Sequence, residues 1–89
     1  MSTVRNEVMI SSVRLAKINW QCRRGMLELD LLCLKFVKYH IHSLTEVQLQ
    51  AFEQLLEQSD PLLLSYLMGH ETVHEKELVE IVAFIRSVL

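Results

Sequence analysis

The sequence predicts an all-α protein: a single small domain built as a compact five-helix bundle. Three observations carry that prediction. Apolar residues recur at three- and four-residue spacing in successive segments. No segment alternates convincingly with period two. Cap and break signals divide the 89 residues into five helical stretches with short connections. The composition is globular, with 51% apolar residues, one proline and no repeat or low-complexity tract. A chain of this size buries about 60–65% of its unfolded surface, for a stability of roughly 5–10 kcal/mol.

Residues 1–12 read as a partly flexible N-terminal tail and 13–89 as the bundle. Ser11 and Ser12 can cap a first helix running to about Arg24, with Leu15, Ile18 and Cys22 on one face. Gly25 is suited to end it in the left-handed conformation. A second helix follows from about Met26 to Ile41. Glu28, Lys35, Lys38 and His42 share its polar side, and Leu29, Leu32, Cys33 and Phe36 its apolar side. Asp30 is the misfit, since it lies near Leu34, Val37 and Ile41; in a first turn, free backbone N–H groups or an arginine can satisfy it.

"SLTE", residues 43–46, reads as a capping box opening a third helix from about Leu44 to Gln58, with Val47, Ala51, Leu55, Phe52 and Leu56 apolar. "SDP", residues 59–61, restarts the chain, with Asp60 as cap and Pro61 in first helical position. The fourth helix ends at Gly69. Thr72 and Glu75 suggest another capping box before a last helix carrying Leu78, Ile81, Val82 and Ile85.

The net charge of −2 conceals a split. Up to His42 there are seven Lys/Arg and three Asp/Glu; after it there are two and eight. Such polarity can orient a protein partner but is too weak for a nucleic-acid footprint. The helix beginning "MLELDLL" also places carboxylates where base-reading residues would stand, and these repel phosphates. The longest apolar run, "IVAFI", is far too short to insert in a membrane. Two cysteines and no secretory leader fit a reduced, cytoplasmic protein.

Enzymatic chemistry finds little support. His40 and His42 diverge by about 200° on a helix, His70 and His74 fall in a connection, and Cys22 and Cys33 have no zinc spacing. Both cysteines occupy apolar positions, where cysteine behaves as a buried hydrophobe. The two glycines make no phosphate loop. The reading is a non-enzyme with no catalytic residue, metal or cofactor of its own.

That leaves "CRRGMLELDLL", residues 22–32. Capping explains much of it: Arg23 and Arg24 favour the negative end of one helix, Glu28 and Asp30 the positive start of the next. A glycine corner bracketed by an exposed guanidinium and carboxylate also lets another protein's backbone approach and form directional hydrogen bonds. Trp20 could add an aromatic anchor. Both accounts fit the residues.

"NWQCRRGMLELDLL" resembles the signature of the succinate dehydrogenase flavinylation and assembly factors of the SdhE/YgfY type, built on an Arg-Gly-x-x-Glu motif, here Arg24, Gly25 and Glu28. The resemblance continues through "SLTEVQLQAFEQLLEQSDPLLLSYLMGH" and "ELVEIVAFIRSVL". It implies a chaperone-like assembly factor that binds the flavoprotein subunit of succinate dehydrogenase, and of fumarate reductase, and promotes covalent attachment of FAD to a histidine of that client. Bond formation would belong to the client, the helper favouring an aligned conformation. Carried over, Gly25 permits close approach and Arg24 and Glu28 contact the client, with Arg23 and Trp20 in support and Asp30 bracing the corner. A monomer is expected. The rival reading is an antitoxin-like regulatory module paired with a small membrane protein.

Overall fold

The computed structural model describes residues 9–89. Five helices follow one another: α1 (Ser12–Gln21), α2 (Leu27–His40), α3 (Glu46–Leu55), α4 (Asp60–Met68) and α5 (Lys76–Val88), with a 3₁₀ turn at Ile41–Ser43 continuing α2. No strand occurs among the described residues, so the all-α bundle is realised. Of the tail expected over residues 1–12, residues 1–8 lie outside those described. Ile10 already packs against the core, and the Ser11 hydroxyl accepts the Arg14 N–H at 3.1 Å to cap α1.

The apolar stripes meet in one core. Ile18 and Cys22 enter it from the first segment, Leu29, Cys33, Phe36 and Val37 from α2, and Leu49, Phe52 and Leu55 from α3. Leu63 and Leu67 of α4 and Leu78, Ile81, Val82 and Ile85 of α5 complete it. The Phe36 ring lies 5.1 Å from that of Phe52 and 5.8 Å from that of Phe84, tying α2 to α3 and α5. Arg14 clamps α1 to α3, its Nε donating to Glu53 at 2.9 Å and both terminal nitrogens to Glu46 at 3.0 Å. Val47, expected among the apolar positions of α3, is exposed. At 100° per residue Val47 stands at the edge of the buried arc of α3, about 80° from Leu55 and 140° from Phe52, in the helix's first turn.

Several boundaries shift by one to three residues, each for a local reason. The first helix stops at Gln21, not Arg24, because the chain beyond Cys22 is taken up by contacts described below. Leu44 is fully buried and extended, so α3 cannot start there. Thr45 caps it instead: its hydroxyl accepts the Gln48 N–H at 3.2 Å, and the Gln48 side chain accepts the Thr45 N–H at 2.8 Å. Ser43 closes the preceding turn, donating to the His40 carbonyl at 2.8 Å. Ser59 rather than Asp60 caps α4. Gly69 ends that helix in the left-handed conformation, φ 78°. The Thr72–Glu75 box does not form; Val73 packs on the core and the chain reaches α5 through an extended Glu75 without a side-chain cap.

Candidate functional site

The site is the corner between α1 and α2. Cys22, wholly buried, ends α1 with its N–H on the Ile18 carbonyl at 3.1 Å. Arg23 to Met26 then turn the chain into α2. Gly25 has φ 87°, the region where an L side chain is strained. It stands just ahead of α2 and does not cap α1, as was expected of it; α1 already ends at Cys22 in right-handed conformation.

Asp30, the sequence misfit, holds this turn. From the first turn of α2 its carboxylate reaches back to accept the Arg24 N–H at 2.7 Å and, more weakly, the Gly25 N–H at 3.4 Å. Two orphan donors and a carboxylate at a helix start satisfy one another. The bracing role expected of Asp30 is what the geometry shows.

Arg24 corrects an expectation. Its guanidinium was expected to face outward, but the side chain is only 11% exposed and is directed into the fold. Nε donates to Asp60 at 2.6 Å. Nη1 donates to the carbonyls of Gln21 at 2.9 Å and Leu56 at 2.8 Å, and Nη2 to that of Gln58. Four of the five guanidinium donors are therefore engaged inside the chain. The physical reason is the end of α3, whose last carbonyls lack helical partners and face the corner together with a carboxylate. Arg24 fastens the corner to the α3–α4 connection.

What the corner displays is the rest. A Cβ placed on Gly25 would meet nothing within 4 Å, so the bare backbone is open to a partner. Glu28 and Arg23 are exposed, and Trp20 is 74% exposed, a large aromatic surface left in water. Trp20, Arg23, Arg24, Gln21, Leu56 and Asp60 line a shallow hollow of about 280 Å³ between the end of α1 and the α3–α4 connection. Trp20, Arg23, Gly25 and Glu28 thus share one accessible corner, with Arg24 beneath it. Sequence reasoning missed Asp60 as the partner of Arg24. Ser59, an equally competent cap directly before it, was the available signal that Asp60 could be free for other work.

Cys22 and Cys33 lie under this corner, both buried and unoxidised. A hydrogen bond with Cys33, and then burial, push the Cys22 thiol well above its ordinary value. Among the described residues no three His, Cys, Asp or Glu side chains converge as a metal set, and no described helix is long and apolar enough to cross a membrane.

Comparison with known proteins places this corner in a family. The family model for the flavinator of succinate dehydrogenase matches residues 16–89. The FAD assembly factor SdhE of Legionella pneumophila (strain Paris) is 58% identical over 72 residues, 81% of this chain and 90% of its own length. Its counterpart from Coxiella burnetii (strain RSA 493 / Nine Mile phase I) is 46% identical over 71 residues, 80% and 87% of the two chains. That of Colwellia psychrerythraea (strain 34H / ATCC BAA-681) is 39% identical over 85 residues, 96% and 93%. With the family model matching from within α1 through the whole of α2 and the core behind the corner, the chain belongs to the succinate dehydrogenase flavinator family.

Proposed function

We propose that this chain is a cytoplasmic, monomeric assembly factor that binds the flavoprotein subunit of succinate dehydrogenase, and of fumarate reductase, and promotes covalent attachment of FAD to it. The observation that carries the reading is the exposed backbone at Gly25, held in place from below by Arg24 and Asp30 and flanked by exposed Glu28, Arg23 and Trp20. A rigid corner of this kind grips a surface. Open backbone allows close approach, a carboxylate and a guanidinium give directional hydrogen bonds, and an indole gives apolar contact area.

The chain contributes no reacting group in this mechanism. FAD and the histidine that it joins belong to the client, and the helper holds a client conformation in which the two are aligned. Its effect is bounded by its differential affinity for that conformation. Arg24 acts as a positioning residue, since its guanidinium is spent on the α3–α4 connection and the corner's shape depends on it.

The test is in-gel flavin fluorescence of the succinate dehydrogenase flavoprotein in cells with the gene, without it, and with Glu28→Ala in its place. The expected result is a fluorescent band with the gene, and loss of that band both without it and with the folded variant. Full fluorescence without the gene overturns the proposal.

A further inference from the structure

Helix α2 carries exposed leucines on its outer face, set among its charged residues. Leu29, Cys33, Phe36 and Val37 point into the core. On the opposite side Leu27 is 75% exposed and Leu31 57%, one turn apart, and the half-buried Leu34, packed partly against the core, borders them. Tyr39, 63% exposed, borders them too. A surface helix normally turns a polar face to water, and neighbouring large apolar side chains left exposed among cations mark a surface suited to a partner. Leu31, Leu34, Lys35, Lys38 and Tyr39 line an open groove of about 320 Å³. Its charged side chains are both cationic, and the Lys38 ammonium lies 5.3 Å from the centre of the Tyr39 ring.

Two features identify the occupant. The exposed leucines adjoin the glycine corner, because Leu27 stands between Gly25 and Glu28, so a protein gripping the corner reaches the groove without leaving the surface. The groove's charge calls for the opposite sign: apolar side chains for Leu31 and Leu34, carboxylates for Lys35 and Lys38. We infer that the outer face of α2 is a second docking surface for the same flavoprotein, taking an acidic amphipathic segment of that client along the Leu27–Lys38 row. The inference rests on the reading that the corner docks the flavoprotein. In this arrangement the corner fixes the register of the complex and the α2 groove supplies desolvated apolar area, the division that protein interfaces commonly show.

The experiment measures affinity of the purified flavoprotein subunit for the full chain at low and moderate salt. It compares wild type, Leu31→Asp, Lys35→Glu/Lys38→Glu and Glu28→Ala, each verified as folded by circular dichroism. Leu31→Asp is expected to weaken binding at least about tenfold. The double charge reversal is expected to weaken it at low salt and to remove most of its salt dependence. Unchanged affinity in both α2 variants, with Glu28→Ala still impaired, overturns the inference and leaves the corner's role standing. Failure of the wild type to bind the subunit overturns the reading of the corner and this inference with it. A wild-type dimer that Leu31→Asp converts to monomer without loss of client affinity assigns the groove to a second copy of the chain and also overturns the inference. So does loss of binding to anionic vesicles by that variant while client affinity persists.

Discussion

The Nε of Arg24 donates to Oδ1 of Asp60 at 2.6 Å, joining the α1–α2 corner to the first turn of α4 across 36 residues of sequence. The same guanidinium serves the carbonyls of Leu56 and Gln58 at the end of α3, so one side chain closes three elements around the candidate site. Arg24→Ala therefore leaves a carboxylate and three carbonyls, that of Gln21 included, without their partner. The expected loss is about 2–3 kcal/mol in urea unfolding, the range for hydrogen bonds to a charged group. Arg24→Lys keeps the charge but not the planar fork, and is expected to recover less than half of that loss.

Glu28 and Gly25 separate display from support. Glu28→Ala removes an exposed side chain, so stability should stay within about 0.5 kcal/mol of wild type while client flavinylation is lost. Gly25→Ala meets no atom within 4 Å, so its cost is the left-handed strain alone, about 1–2 kcal/mol by thermal or urea unfolding. A much larger loss would mean that the corner is more closely covered than its open space shows.

The Arg14 clamp makes stability depend on acid. Hydrogen bonds from Arg14, and then from Gln50, hold the Glu46 carboxyl below its ordinary value of 4.5. A carboxylate whose folded value is depressed contributes stability that is fully present above its unfolded value and fades as pH falls through the folded one. The unfolding midpoint of Glu46→Gln should therefore lie below wild type at neutral pH and converge with it as the pH drops below 4.5. Midpoints that coincide at neutral pH, or a gap that persists unchanged well below pH 4.5, would show that the pair contributes no such charge-dependent stability.

Cys22 and Cys33 should behave as core residues. Burial and the hydrogen bond that raise the Cys22 thiol suppress its thiolate. In native buffer at pH 8 neither thiol should react appreciably with Ellman's reagent, and both should react as urea unfolds the chain. Rapid labelling of the native protein would contradict the packing under the corner.

Much of this architecture was legible along the chain. The apolar spacing that placed Ile18, Phe36, Phe52, Leu78 and Ile85 inside depends on helical geometry that a few residues establish. Gly69 ended its helix as read, because a left-handed terminus is a local demand. The caps were less legible. Ser43, Thr45, Ser59 and Asp60 are all competent caps, and the choice among neighbours fell to packing: a buried Leu44 pushed the start of α3 to Thr45, and Arg24 claimed Asp60 and left the cap to Ser59.

The corner divides the same way. Its glycine and its acids could be read from eleven consecutive residues, because turn chemistry is short-range, and its likeness to the flavinators from residues 19–32 together with the later segments that share it. The direction of the Arg24 guanidinium could not. Its partners lie at residues 56, 58 and 60, more than thirty positions downstream, and come within hydrogen-bond range when α3 and α4 pack against α1. The exposure of Leu27 and Leu31 is likewise a property of the packed bundle. Leucines on every side of a helix all look like core until the neighbouring helices have covered one face and left the other open.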